Sequence, residues 1–144
     1  MPTPTIYRPA SRTARPLPLA GGTVTAGFPS PAEDFVEGTL DLNEHLIRRP
    51  AATFLMRVKG DSMTGAGIFP GDLLVVDRSL EARAGSIVIA ALDGELTVKR
   101  LHRTDKDWFL IAENPRYPPI PIGTDPDCTI WGVVASAIHQ FERR

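Results

Sequence analysis

The chain has one cysteine, Cys128, so an internal disulfide is excluded and a reducing compartment fits. It also lacks a long apolar run. The longest, from Ile130 to Ile138, falls far short of the ~20 residues that span a bilayer, so no membrane is expected among its partners. Prolines interrupt the N-terminus throughout, which removes the unbroken apolar core of a signal peptide, and a cytoplasmic protein is expected. No excess of positive charge is present: 16 Lys and Arg stand against 17 Asp and Glu, a net charge of −1. Direct, sequence-specific DNA binding is therefore not expected, because it depends on clustered cations neutralising phosphates. Asp61, Asp72 and Asp77 lack metal-ligand spacing and read as turn and strand-end residues, so neither a metal nor a cofactor is implied. Cys128 has no activating neighbour and is expected buried in the last strand.

What is present fits one folded domain behind an arm. At 144 residues, 42% hydrophobic and 23% charged, the chain is long enough to bury roughly two-thirds of the surface its unfolded form exposes. Five of its 14 prolines fall in residues 1–20, with Arg8, Arg12 and Arg15 and no acidic side chain. Such a segment cannot form a regular helix and has little to bury, so residues 1–26 are expected to be a flexible, extended arm and residues 27–144 the folded body. The arm carries +3, which leaves −4 on the body, since −1 minus +3 is −4. Gly21 to Gly27 is short and β-capable.

Order is expected from Phe28 onward. Ser30-Pro31-Ala32-Glu33 has a capping-box pattern with proline in the first helical position, predicting a short helix through Glu37 that stops at Gly38. Asp41 to Arg48, with Leu42 and Leu46 one turn apart, predicts a second short helix ended by Pro50. Beyond it the pattern is β. Phe54, Met56 and Val58 alternate with Leu55, Arg57 and Lys59, and apolar runs follow at Asp72 to Asp77 and Ser86 to Leu92. Asp93-Gly94 is a two-residue type I′ hairpin signal between that last run and Glu95 to Leu101. Trp108 to Ala112 and Thr129 to Ser136 complete about six strands, separated by a proline-rich loop from Asn114 to Ile120. The fold class expected is mainly β, a curled, partly closed antiparallel sheet with short N-terminal helices.

Two residues invite a chemical reading. Ser62 follows Gly60-Asp61 in a turn at the end of a strand, and Lys99 lies within a later one. A serine hydroxyl attacks only if a base takes its proton, and lysine is a known alternative to histidine in that role. An ordinary lysine is free base at pH 7 in only about one molecule in a few thousand, but burial without a carboxylate partner lowers its pKa. Lys99 shares a strand face with Thr97 and Leu101. If the Gly60 to Met63 turn closes over that face, hydroxyl and amine meet, and backbone N–H groups of Ser62 and a neighbour would cradle an oxyanion. The residues alone leave the plainer reading open: serine after Gly-Asp suits a turn, and lysine suits a solvated edge strand.

Four motifs in register carry a resemblance that runs from about Ala26 to Val134. They are Gly60-Asp61-Ser62-Met63, Gly67-Ile68-Phe69-Pro70-Gly71-Asp72-Leu73-Leu74-Val75-Val76-Asp77, Asp93-Gly94-Glu95-Leu96-Thr97-Val98-Lys99-Arg100 and Glu113-Asn114-Pro115-Arg116-Tyr117-Pro118-Pro119-Ile120. Together they resemble the LexA/UmuD family of self-cleaving serine peptidases. The front end, Gly27 to Glu37 and Leu40 to Asn43, is most similar to the UmuD branch, the accessory subunits of error-prone DNA polymerase V, whereas alanine before the glycine is the repressor-like choice. The resemblance implies Ser62 as nucleophile, Lys99 as general base, Gly60, Asp61 and Met63 as turn and oxyanion support, and Ala26-Gly27 as the scissile bond. It further implies SOS-response self-cleavage stimulated by a RecA filament on single-stranded DNA, a homodimer, and a UmuC-type Y-family polymerase as partner. The competing expectations are a non-catalytic partner-binding module of the same fold, a LexA-like repressor fragment without its DNA-binding domain, and a processing peptidase akin to signal peptidases.

Overall fold

The computed structural model describes residues 6–7, 14–21, 23–24, 26–27 and 36–144. The chain divides into two compact units, one of residues 10–48 and one of residues 1–9 with 49–144.

In the first unit, β2 (Pro16–Ala20) pairs antiparallel with β3 (Val36–Asp41), in a register running from Pro16 opposite Asp41 to Ala20 opposite Val36. Helix α1 (Leu42–Leu46) follows directly, and the Asp41 carboxylate caps it by accepting the Asn43 N–H at 3.1 Å. This is the second of the two expected helices. The first does not reach Glu37: residues 36–38 are strand, where pairing with β2 takes up the backbone groups that a helix would bond internally. The rest of that expected helix, residues 30–35, lies outside the described residues, as does Phe28. The β-capable stretch at 21–27 forms no strand among its described positions.

The second unit is an eight-stranded sheet. Its strands are β1 (Ile6–Tyr7), β4 (Thr53–Arg57), β5 (Leu73–Asp77), β6 (Ile87–Leu92), β7 (Glu95–Arg103), β8 (Trp108–Ile111), β9 (Ile120–Gly123) and β10 (Ile130–Ile138). The order is β1-β4-β5-β10-β6-β7-β8-β9, every pairing is antiparallel, and the sheet is not closed into a barrel. The mainly β class and the six strands read from alternation are present. The β6–β7 turn has Asp93 at φ +50°, as a type I′ hairpin requires of its first residue. Strand β9 begins where the proline-rich loop was expected to end. Its Pro121 withholds a donor, and an outermost strand is where a sheet tolerates that. Cys128 is not in the last strand: it is exposed in the turn that precedes β10, because the strand starts at Ile130.

Apolar side chains fill both faces of the sheet. Met56, Val58, Met63, Ile68, Leu74, Val76 and Ile89 form one buried cluster, with Leu96, Val98 and Trp131 packed on it. Val88, Ala90, Leu101, Leu110 and Val133 form the other. Met63 and Ile68 belong to no strand. They come from the segment joining β4 to β5, which their burial fixes against residues contributed by β4, β5 and β6.

Candidate active site

That joining segment carries Ser62. Strands β4 and β7 are four inter-strand steps apart in the sheet order, about 19 Å at ~4.8 Å per step in a flat sheet. Side chains that distant in the sheet meet only because the segment after β4 leaves the sheet plane. Gly60 turns it, at φ +87°, a backbone conformation that costs an L side chain about 1 kcal/mol or more. Met63, 1% exposed, anchors the far side of the turn in the core. Between them Ser62 is half-buried, and its Oγ lies 2.9 Å from Lys99 Nζ.

Lys99 is 8% exposed. Its Nζ donates to Ser62 Oγ, to Thr97 Oγ1 at 3.3 Å and to the Val98 carbonyl at 3.3 Å, and the Tyr117 ring centroid lies 5.9 Å away. No carboxylate bonds it among the described residues. The nearby loop acids are engaged elsewhere, Glu113 by Arg100 and Asp61 by Tyr117 and Arg116. Burial therefore acts unopposed and pushes the Lys99 ammonium below the ordinary lysine range, toward the neutral amine that can accept a proton.

The turn itself is held from outside. The Asp61 carbonyl accepts from Asn114 Nδ2 at 2.9 Å, and its carboxylate accepts the Tyr117 hydroxyl at 2.6 Å. The Tyr117 bond, with Arg116 3.6 Å from the other oxygen, holds the Asp61 carboxyl below its usual range against a smaller opposing effect of burial. One turn later the Gly65 N–H donates to the Glu113 carbonyl at 2.8 Å. Among the described residues, no protein acceptor takes the N–H of Ser62 or of Met63.

Of the residues singled out from sequence, the structure brings together Ser62, Lys99, Gly60, Asp61 and Met63. Ala26 and Gly27 are exposed in the unit of residues 10–48, in the connection between β2 and β3. In the sequence Asn114 and Tyr117 belong to the proline-rich loop and to the fourth motif, with no site role attached to either. The signal for them was an amide and a phenol among prolines, polar groups on a segment whose prolines leave it few backbone donors.

The Peptidase S24-like family matches residues 18–135. The chain belongs to that family, the serine peptidases of the LexA/UmuD type. The protein SamA of Salmonella typhimurium (strain LT2) is 48% identical over 123 residues, 85% of either chain. The protein ImpA of Escherichia coli is 45% identical over 129 residues, 85% of this chain and 83% of its own. The LexA repressor of Ectopseudomonas mendocina (strain ymp) is 43% identical over 125 residues, 86% of this chain and 60% of the repressor. Within this S24-like peptidase no helix among the described residues is long and apolar enough to cross a membrane.

Proposed function

We propose that this S24-like peptidase is a self-cleaving SOS-response switch that uses Ser62 as nucleophile and Lys99 as base to cut Ala26-Gly27. The observation that carries the reading is the 2.9 Å approach of Ser62 Oγ to a buried lysine that no carboxylate bonds among the described residues. Neutral Lys99 takes the hydroxyl proton as Oγ adds to the Ala26 carbonyl carbon, and the Ser62 and Met63 N–H groups receive the oxyanion. The C–N bond then breaks, Lys99 returns the proton to the departing Gly27 amine, and water hydrolyses the Ala26 ester to regenerate Ser62. Because the substrate is part of the same molecule, its effective concentration is high and a modest catalyst suffices.

Resemblance to the UmuD branch supports the rest: stimulation by a RecA filament on single-stranded DNA, and a shortened homodimer that serves a UmuC-type translesion polymerase. The test is intact mass over time at alkaline pH, and at neutral pH with RecA, ATP and single-stranded DNA. Wild type is expected to lose residues 1–26, while Ser62→Ala and Lys99→Ala stay whole. Cleavage of either variant at Ala26-Gly27 with the wild-type rate would falsify the assignment. A mass unchanged by activated RecA would point instead to a binding module.

A further inference from the structure

We propose that Asn114 and Tyr117 are positioning residues that hold Ser62 against Lys99, a role that rests on the peptidase reading of that pair. Ser62 sits on a turn, and among the described residues its side chain has one hydrogen-bond partner, Lys99 itself. A single contact between a hydroxyl and a flexible amine does not fix a reacting geometry, so the turn must be held by its neighbours. The loop Glu113 to Tyr117 holds it at three points: Asn114 Nδ2 on the Asp61 carbonyl, the Tyr117 hydroxyl on the Asp61 carboxylate, and the Glu113 carbonyl on the Gly65 N–H. Two of these act on the residue next to the nucleophile.

The other end of the same loop is fixed to the strand that carries the base. Glu113 pairs with Arg100, the residue after Lys99, and β8 enters the loop paired to β7 with Arg100 opposite Ile111. The loop is thus a brace between nucleophile and base, with Arg100 at one end and Asp61 at the other. Tyr117 also contributes its ring, whose centroid lies 5.9 Å from Lys99 Nζ. The bond between phenol and carboxylate lowers the Asp61 pKa and raises that of Tyr117, which widens the pH range over which the brace stays formed.

Two readouts test this in Tyr117→Phe and Asn114→Ala. The first is the self-cleavage rate of the full chain across alkaline pH. The second is iodoacetamide alkylation of Ser62→Cys in a Cys128→Ser background, which reports proximity of position 62 to Lys99 whether or not the protein cuts itself. Each variant is expected to cleave about ten-fold slower with the same pH midpoint, since a displacement under 1 Å is enough for such a loss. The thiol, acidified by the neighbouring ammonium, is expected to return toward the free value of about 8.5 when Tyr117 is Phe. Unchanged cleavage and alkylation in both variants overturn the proposal, as does a rate loss in both that only follows loss of folded protein. If wild type does not cleave but the thiol midpoint still moves with Tyr117, the peptidase reading fails and the positioning role stands.

Discussion

Lys99 is the residue at which stability and chemistry oppose each other. Its burial lowers its pKa below the ordinary 10.5, so between the folded value and 10.5 the unfolded chain binds more protons. Stability therefore rises with pH across that window, and below it the full cost of burying an ammonium is carried. Lys99→Met fills similar volume without the charge. It is expected to abolish self-cleavage and yet to be more stable than wild type at pH 7, by roughly 1 kcal/mol, with the difference shrinking as pH approaches 10.5. Thermal melts at neutral and alkaline pH check this, and a Lys99→Met protein less stable than wild type at pH 7 would count against an unpaired buried lysine. For wild type, the cleavage rate should climb about ten-fold per pH unit until Lys99 is half neutral, because rate follows the free-base fraction. Neither effect is visible in the sequence, where Lys99 alternates like any strand lysine. Its contact with Ser62, 37 positions away, is made only by the tertiary fold.

At the scale of elements, the joining segment from Val58 to Asp72 and the loop from Glu113 to Tyr117 decide the site, and they meet at Gly65. A Cβ built on Gly65 would lie 2.5 Å from the Glu113 carbonyl oxygen, which is backbone and cannot swing aside. Gly65→Ala is accordingly expected to push the two segments apart, costing about 1–3 kcal/mol and slowing self-cleavage. Denaturant unfolding with mass-resolved cleavage measures both, and an alanine variant with wild-type stability and rate would show that the contact is not needed. Elements were legible where local rules and tertiary pairing agree. The Phe54, Met56, Val58 alternation and the Asp93-Gly94 turn gave β4 and the β6–β7 hairpin directly. They were not legible where pairing overrode local signals: Glu37 joined a strand despite the capping box before it, and Pro121 entered β9 because an outer strand spares its missing donor.

At the scale of the molecule, cleavage would convert one chain into a body and a detached arm. Both Ala26 and Gly27 lie between paired strands, so the cut leaves the fragment held only by the two residues of β1 paired with β4 and by the β2–β3 pairing. Pro16 and Pro18 offer no N–H to that pairing, and the whole of β2 is exposed. A two-stranded pair is marginal in water even when tethered, and severing the tether removes its effective concentration. The fragment of residues 1–26 is therefore expected to leave, and with it +3 of charge, so that a chain of −1 becomes a body of −4. Anion-exchange elution should move to higher salt after cleavage, with the fragment absent from the native mass of the body. A fragment that stays bound through gel filtration would contradict this.

The sequence by itself determined the β class, most strand positions and the hairpin, because those depend on side-chain period and turn chemistry within a few residues. Its motifs in register also sufficed to point to the family that residues 18–135 match. Only the tertiary structure decided that Ser62 and Lys99 touch, that no acid among the described residues bonds the lysine, and that Asn114 and Tyr117 bond Asp61 beside the serine. Those facts depend on how β4 to β8 order themselves in one sheet, where residues 37 positions apart become hydrogen-bond partners.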